Sequence, residues 1–430
     1  MARGEVTAGG AGRRLWLLAL GAFVLAGSTG VLLRAGMLHG FPGGLQFANV
    51  RHAHSHLMYF AWATPALMLL IAAWLPGQTG RPAGRGLAWT AGAAILLGLL
   101  SYPPFLLSGY GLLPVGGREL PLSGMISGLQ FLPWLAFALL YFRARRGVRG
   151  AQPLHLWDLA VLFQLLAAGG AGLRAALAMS GVRDPFWTAA GVHFFLDLFS
   201  DGWFVLGLLG LLHAVYPAPA SRAATWGTRL LAAGVPVLFL LKMPPALVPG
   251  GLRLVGGLGG VLVTAGLSLH LAVLWPRLPA CWRLPLAFLG LVIAGTAGLL
   301  LPPVAAWAQA AGLRVSFLHW QLLGFASLGL LLLAADARYV GTATTRRAMA
   351  PAVVLLVASL LPLTGLWPAA WAGRWTLAFA AWAALAPVLA ALAIVVESVT
   401  ALRRWQPGGV PGGARSTPPR SGSNPASETC

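Results

Sequence analysis

Long apolar segments follow one another along almost the whole chain, with short loops between them. A helix needs about 20 apolar residues to cross the hydrocarbon core of a bilayer, and each of these segments is long enough. Hydrophobic residues make up 58% of the 430 residues and charged residues only 9%, more apolar surface than a soluble core could bury. The sequence therefore predicts an all-α polytopic membrane protein whose main partner is the lipid bilayer. Twelve spans are predicted, at residues 15–33, 51–75, 87–112, 120–142, 155–180, 187–216, 226–247, 251–275, 284–306, 312–335, 348–370 and 375–400.

Basic residues are concentrated in the loops that lie on one side of the membrane in this topology. If the N-terminus is cytoplasmic, arginines such as Arg81, Arg143 and Arg346 fall in cytoplasmic loops. Such an excess marks the inner side of a membrane protein, so the net charge of +20 does not indicate binding to nucleic acid. The sequence predicts that both termini are cytoplasmic and that the protein lies in a bacterial-type inner (plasma) membrane.

A single membrane domain, residues 15–400, accounts for nearly all of the sequence. Residues 1–14 are predicted to form a short cytoplasmic segment. Residues 401–430 are rich in Pro, Gly and Ser and have no apolar periodicity. We predict that they form a disordered cytoplasmic tail.

Histidine occurs in the first turns of three even-numbered spans, which all run from the outer to the inner side. The second span has His52, His54 and His56, the sixth has His193, and the tenth has His319. A helix rises 1.5 Å per residue, so all of them are predicted within roughly one or two turns of the same depth. Imidazole is a common ligand of iron, copper and zinc, and ionisable groups inside a span mark functional sites. The three spans together therefore predict a metal or haem site near the outer face.

The three histidines of the second span do not share one helix face. His52 and His56 are four residues apart and lie on the same face, whereas His54 points elsewhere. We predict that at least one of the three binds a metal or a haem. In the alternative interpretation, His52 caps the helix at the interface and His56 bonds a backbone carbonyl.

The sixth span also carries two carboxylates in register with its histidine. His193, Asp197 and Asp201 are spaced four residues apart and form one slowly turning stripe. Two aspartates within a span are costly unless they are paired, hydrated or bound to a metal. The stripe therefore predicts a site for a metal or for protons that faces the helix bundle. A structural stripe that bonds neighbouring helices or a water is the alternative.

Two of these motifs resemble subunit I of the haem-copper oxidases, especially its nitric-oxide-reductase branch. That family has twelve spans, and histidines of its second and tenth helices hold a low-spin haem near the outer face. Its second helix often reads Arg-x-x-His-Thr-Asn, which is similar to the run from Arg51 to His56 and implies that His54 is a haem ligand. Its tenth helix carries the motif His-x-His, with a glycine five residues after the second histidine. His319 matches that second histidine, and Gly324 matches the glycine.

The resemblance includes the sixth helix but not the ligands of the high-spin haem and the second metal. In the reductases, a histidine with acidic residues four and eight positions on surrounds a non-haem iron, and His193, Asp197 and Asp201 have that spacing. The ligand of the high-spin haem would fall at Phe317, and residues 226–247 contain no histidine for a further metal. The resemblance thus implies a retained low-spin haem site and no conventional oxygen-reducing centre.

A second resemblance is to twelve-span membrane proteins of the nitrosative-stress response that contain haem and copper. That family has His-Ala-His at the head of an early helix, followed after the span by Pro-x-x-Thr-Gly-Arg. His52-Ala53-His54 and the turn from Pro76 to Arg81 are similar to both features. Both families contain haem, so the two resemblances imply the same cofactor but different functions.

We expect an integral membrane protein with at least one b-type haem, whose iron is held by His54 and His319. Arg51 and Arg314 are the expected partners of the haem propionates. A non-haem metal, iron or copper, is expected from among His193, Asp197, Asp201, His52 and His56. The expected role is electron transfer, gas sensing or handling of nitrogen oxides, with a small redox protein or a second subunit as a partner. A transporter coupled to protons or cations through the sixth-span carboxylates is the alternative.

Overall fold

The structure is a computed structural model that describes residues 10–148, 150–339 and 343–404. Residues 1–9 of the predicted N-terminal segment, 1–14, lie outside the described residues, and residues 10–14 belong to the first helix. Residues 405–430 of the predicted tail, 401–430, also lie outside the described residues, and residues 401–404 belong to the last helix. In the described part the chain is almost entirely helical, which confirms the predicted fold class.

Twelve long helices lie within the described residues. They are α1 Gly10–His39, α2 Phe47–Thr79, α3 Arg85–Ser108, α4 Leu122–Arg145, α5 Gln152–Ser180, α6 Pro185–Val215, α7 Arg222–Lys242, α8 Gly250–Arg277, α9 Ala280–Gly298, α10 Arg314–Asp336, α11 Ala343–Leu360 and α12 Arg374–Arg404. Eleven helices in this part of the chain are long and apolar enough to cross a membrane, and α11 is shorter than the rest. The protein is therefore a multi-pass membrane protein.

Proline and glycine move several boundaries away from the predicted spans. The seventh span was predicted to reach residue 247, but α7 ends at Lys242 because Pro244 and Pro245 lack the amide hydrogen that a helix needs. The ninth span was predicted to reach residue 306, but α9 ends at Gly298, and a separate short helix, Pro302–Ala310, follows.

A small hairpin lies between α3 and α4, where the sequence predicts only span ends and a loop. Strands β1 Leu113–Val115 and β2 Arg118–Leu120 pair antiparallel, with Leu113 opposite Leu120. Gly116 and Gly117 form the two-residue turn at φ of 58° and 77°, the backbone that such hairpins require and that glycine adopts without strain.

The helices are arranged as three arcs that join three central helices. The helices α3, α4 and α5 lead from α2 to α6; α7, α8 and α9 lead from α6 to α10; and α11, α12 and α1 lead from α10 back to α2. The central helices α2, α6 and α10 also contact one another. Each arc therefore encloses one compartment between two central helices.

Burial separates the central helices from the rest. In the most apolar stretch of each helix, 89% of the residues are buried in α6, 78% in α2 and 67% in α10, against 33% to 44% in the other spans. A helix that is apolar on all sides belongs in the interior of a bundle, whereas the arc helices expose one side to lipid. The three even-numbered spans with histidine in their first turns are thus the three at the centre.

All three central helices widen into π-helical turns at the same level. The π-helical segments are Leu57–Ala63 in α2, Leu198–Val205 in α6 and Trp320–Ser327 in α10. They begin directly after His56, Asp197 and His319. Such turns are rare and often mark functional sites.

Hydrogen bonds join the π-helical segments to one another. The Tyr59 hydroxyl lies 3.0 Å from the Ser200 hydroxyl, which links α2 to α6. The Trp62 indole N–H donates to the Ser327 hydroxyl at 3.0 Å, which links α2 to α10. These polar contacts lie within an otherwise apolar core and fix the three central helices relative to one another.

Candidate functional site

The N-terminal ends of α2, α6 and α10 come together at one end of the bundle. The Arg314 guanidinium of α10 reaches the imidazole of His193 in α6, with Nη1 3.1 Å from the ring nitrogens. His54 of α2 and His319 of α10 are close enough to interact electrostatically. The structure thus brings these three ends near one another and distributes their side chains among the three compartments.

His54 faces the compartment that α1 helps to close. Its Nδ1 lies 2.7 Å from the carbonyl oxygen of Ala26 in α1, so Nδ1–H donates to that oxygen. Gly30, one turn further along α1, leaves room for the ring, because a Cβ at this position would lie 3.1 Å from the Cε1 atom of His54. The close approach of α1 and α2 here depends on that glycine.

His319 is held in the same way on the opposite side of this compartment. Its Nδ1 lies 2.7 Å from the carbonyl oxygen of Val315, one turn earlier in α10. In the described part of the chain, neither His54 nor His319 has a hydrogen bond at Nε2. Histidines that bind a metal commonly donate their other ring N–H to a carbonyl, which fixes the tautomer and the ring orientation.

Arg34 is a third member of this compartment and was not among the predicted site residues. It is 7% exposed, and Nη1 donates to the carbonyl oxygen of Gly30 at 3.0 Å. Its charge acts on both His54 and His319. Its position directly after the predicted first span, 15–33, was the available sequence clue, since arginine is rarely buried at membrane depth.

His56 belongs to a different compartment and has partners at both ring nitrogens. Its Nε2 lies 2.9 Å from the Tyr110 hydroxyl and its Nδ1 lies 3.2 Å from the Ser127 hydroxyl. The ring stacks on Phe105 at a centroid distance of 3.7 Å. His52 packs edge-on against the same Tyr110 ring at 4.8 Å. The geometry gives both histidines roles in packing α2 against α3 and α4, which differ from the predicted role as metal ligands.

The stripe on α6 faces the second compartment, between α6 and α10. His193, Asp197 and Asp201 are 7%, 4% and 2% exposed, which confirms that they point into the bundle and not into lipid. The His193 Nδ1 atom lies 3.2 Å from Asp197 Oδ2. With Nδ1 protonated, the imidazole donates to Asp197 and its Nε2 accepts from Arg314.

Lys242, at the end of α7, lies between the two carboxylates and was also missed in the sequence. Its Nζ donates to Asp201 Oδ2 at 2.5 Å and lies 4.0 Å from Asp197 Oδ1. Gln321 of α10 donates to the second oxygen of Asp201 at 2.8 Å. The result is a continuous polar chain across α10, α6 and α7 in which two cations balance two carboxylates.

Phe317 closes this compartment beside the lysine. The Lys242 Nζ atom lies 5.0 Å from the centre of the Phe317 ring, a cation–π distance. Phe317 is the position at which the resemblance places the ligand of a high-spin haem, and α7 has no histidine. A cation and an aromatic ring therefore occupy the two positions, in α7 and at residue 317, at which the resemblance would place metal ligands.

The remaining predicted residues have other environments. Arg51 is exposed, with its guanidinium 5.8 Å from the Phe47 ring. Arg314 is engaged with His193, while its Nη2 atom is buried without a hydrogen bond. Among the described residues, no three His, Cys, Asp or Glu side chains come together as a metal site. The predicted non-haem metal therefore has no ready-made three-ligand group in this part of the chain.

Comparison with known proteins finds neither a matching family model nor a matching curated protein.

Proposed function

We propose that the protein binds a b-type haem between α2 and α10, with His54 and His319 as the axial ligands. The observation that carries the proposal is the paired geometry of the two imidazoles. They lie at one level on facing central helices, and each uses Nδ1 on a backbone carbonyl and keeps Nε2 for a ligand. Nε2 of a neutral imidazole is the usual donor atom to haem iron.

The residues around the two histidines fit this group. Arg34 places a buried positive charge near both rings, where a haem carboxylate would find a partner. Haem supplies one-electron chemistry when it is bound. The chain orients the two imidazole rings through hydrogen bonds to Ala26 and Val315.

A haem held by both histidines would transfer electrons, and it would respond to small gases or nitrogen oxides only if one histidine gave up its position to them. A small redox protein or a second subunit would then be its electron partner. The second and tenth helices, on which the family resemblance rests, lie side by side at the centre of the bundle.

The deciding experiment is the absorbance spectrum of the purified protein and of two variants. His54→Ala and His319→Ala should each abolish the sharp reduced α-band of a low-spin b haem. His56→Ala is the matched control, because His56 lies two residues from His54 but faces α3 and α4, and its haem band should persist. Loss of the band in His56→Ala with retention in the other two variants would refute the ligand assignment.

We further propose that α11 also crosses the membrane, which gives twelve spans with both termini in the cytoplasm of a bacterial-type inner membrane. The arginine-rich loops support this orientation. A fluorescent reporter that folds only in the cytoplasm, fused at the C-terminus, should be bright. A dark reporter with an active periplasmic reporter at the same site would overturn the orientation.

A second candidate function is transport coupled to protons or cations. Its support is the buried chain of Arg314, His193, Asp197, Lys242 and Asp201, since charges inside a membrane bundle often mark ion pathways. Proteoliposomes would show cation or proton flux that Asp201→Asn abolishes. No flux in the wild-type protein would exclude this function.

A further inference from the structure

Lys242 is the only lysine in the 430-residue chain, and the other basic residues included in the Lys+Arg count of 29 are all arginine. It is the last residue of α7, a position from which a lysine side chain commonly reaches water. Its side chain is 6% exposed, and its ammonium faces two aspartates of α6. Those two aspartates are among only nine acidic residues in the whole sequence. The one lysine is therefore placed at a rare concentration of buried negative charge.

The oxygen atoms around the ammonium are those that suit a small hard cation. Asp201 Oδ2 lies 2.5 Å and Asp197 Oδ1 lies 4.0 Å from Nζ. Gln321, 1% exposed, donates to Asp201 through Nε2, while its carbonyl oxygen Oε1 is buried without a hydrogen bond. Carboxylate and amide oxygens are preferred by Mg²⁺, Ca²⁺ and Mn²⁺. Gln321 thus brings an acceptor without a hydrogen bond on the same amide group that contacts Asp201.

The choice of lysine over arginine has a physical reason. A guanidinium is planar and binds a carboxylate with two parallel hydrogen bonds, whereas an ammonium is a compact point charge with three donors. The two aspartates present oxygens from successive turns of α6, and a point charge between them contacts both. Lysine thus takes the place that an inorganic cation takes in a carboxylate site.

We propose that Asp197, Asp201 and Gln321 form a small-cation site whose resident cation is the tethered ammonium of Lys242. The inference is independent of the proposed haem, because it concerns a different compartment. It implies that the native protein is closed to free cations at this position, so the transport alternative above would apply to protons only. It also implies that removal of the ammonium opens the position to a hard metal ion, without any new ligand being introduced.

Binding of Mn²⁺ to the full-length protein in detergent, measured by electron paramagnetic resonance, tests the proposal. Lys242→Ala should bind one Mn²⁺ per chain at least tenfold more tightly than the wild type. The added affinity should disappear in Lys242→Ala/Asp201→Asn, which removes one carboxylate from the site. Ethylammonium, which replaces the missing end of the side chain, should compete with Mn²⁺ in Lys242→Ala.

Arg253→Ala is the matched control, because it also removes one positive charge at the same end of the bundle, at the first turn of α8. It should leave Mn²⁺ binding at the wild-type level. Equal gains in Arg253→Ala and Lys242→Ala would show a general charge effect and overturn the proposal. No gain in Lys242→Ala would overturn it equally.

If Lys242→Ala does not fold, a comparison of two further variants still tests the proposal. Lys242→Met keeps the length of the side chain, and Lys242→Met/Asp201→Asn removes both members of the 2.5 Å contact. If the ammonium serves to compensate the carboxylates, the double variant should be recovered in higher yield than Lys242→Met alone. Equal loss of both variants would overturn the proposal.

Discussion

Two arginines near the proposed haem site differ in their burial, and burial decides how strongly each acts. Arg51 is exposed beside Phe47, where water and salt screen its charge. Arg34 is 7% exposed and bonds only to the Gly30 carbonyl among the described residues, so little of its charge is screened. A charge in a medium of low dielectric constant has a much larger effect on a nearby redox group.

Arg34→Leu should therefore lower the midpoint potential of the proposed haem, because the buried positive charge disfavours the ferric state. We expect a decrease of roughly 60 mV, which corresponds to a tenfold change in a one-electron equilibrium. Spectroelectrochemical titration measures it. Arg51→Leu, with an exposed charge, should change the potential much less, and Arg34→Lys should restore most of the loss. A larger shift in Arg51→Leu than in Arg34→Leu would contradict the assignment.

At the scale of single helices, the site depends on how closely α1 can approach α2. The His54 ring can reach the carbonyl oxygen of Ala26 because Gly30, one turn further along α1, has no side chain opposite the ring. The π-helical segment of α2 begins at Leu57, three residues after His54, and its side chains bond to α6 and α10. His54 therefore faces α1, whereas Tyr59 faces α6.

Gly30→Val should displace the His54 ring and weaken the proposed haem site. The added side chain would begin 3.1 Å from Cε1, and overpacking of this kind typically costs about 1–3 kcal/mol. We expect lower haem occupancy and a broadened reduced band in the spectrum. Gly21→Val in the same helix is the control, since a Cβ at residue 21 meets no atom within 4 Å. Similar spectra for the two variants would show that the close approach at Gly30 is not needed.

For the molecule as a whole, the three arcs give three compartments with different contents at one end. Between α2 and α6 lies His56, with both ring nitrogens hydrogen-bonded to Tyr110 and Ser127. Between α6 and α10 lies the ion-pair chain around Lys242. Between α10 and α2 lies the histidine pair with Arg34. The proposed haem site and the ion-pair chain are therefore placed in separate compartments.

The purified protein should accordingly show no rapid reduction of oxygen. α7 offers a lysine and no histidine, and Phe317 provides no ligand, so the chain lacks the groups for a second metal beside a haem. With an artificial electron donor, we expect oxygen consumption below about 1 turnover per second, under the usual enzymatic range. An established haem-copper oxidase measured in parallel serves as the positive control. Tens of turnovers per second from this chain alone would refute the expectation.

The sequence by itself determined the membrane class, the helical fold and the level of the polar groups. Apolar length alone specifies spans in a bilayer, because every backbone group must be bonded within a helix. Spacing along α6 was enough to predict that Asp197 and Asp201 face inward, since exposure of either to lipid would cost roughly 2.5–3.5 kcal/mol. These properties are local, and each follows from residues on one helix.

Only the tertiary structure decided which groups meet. His54 and His56 are two residues apart, yet one bonds α1 and the other bonds Tyr110 and Ser127, because their helix positions open into different compartments. The charges of Arg34 and Lys242 come from α1 and α7, helices other than those that carry the histidines and carboxylates on which they act. Spacing within a helix predicts the direction of a side chain, but the group that it contacts is set by the packing of the arcs.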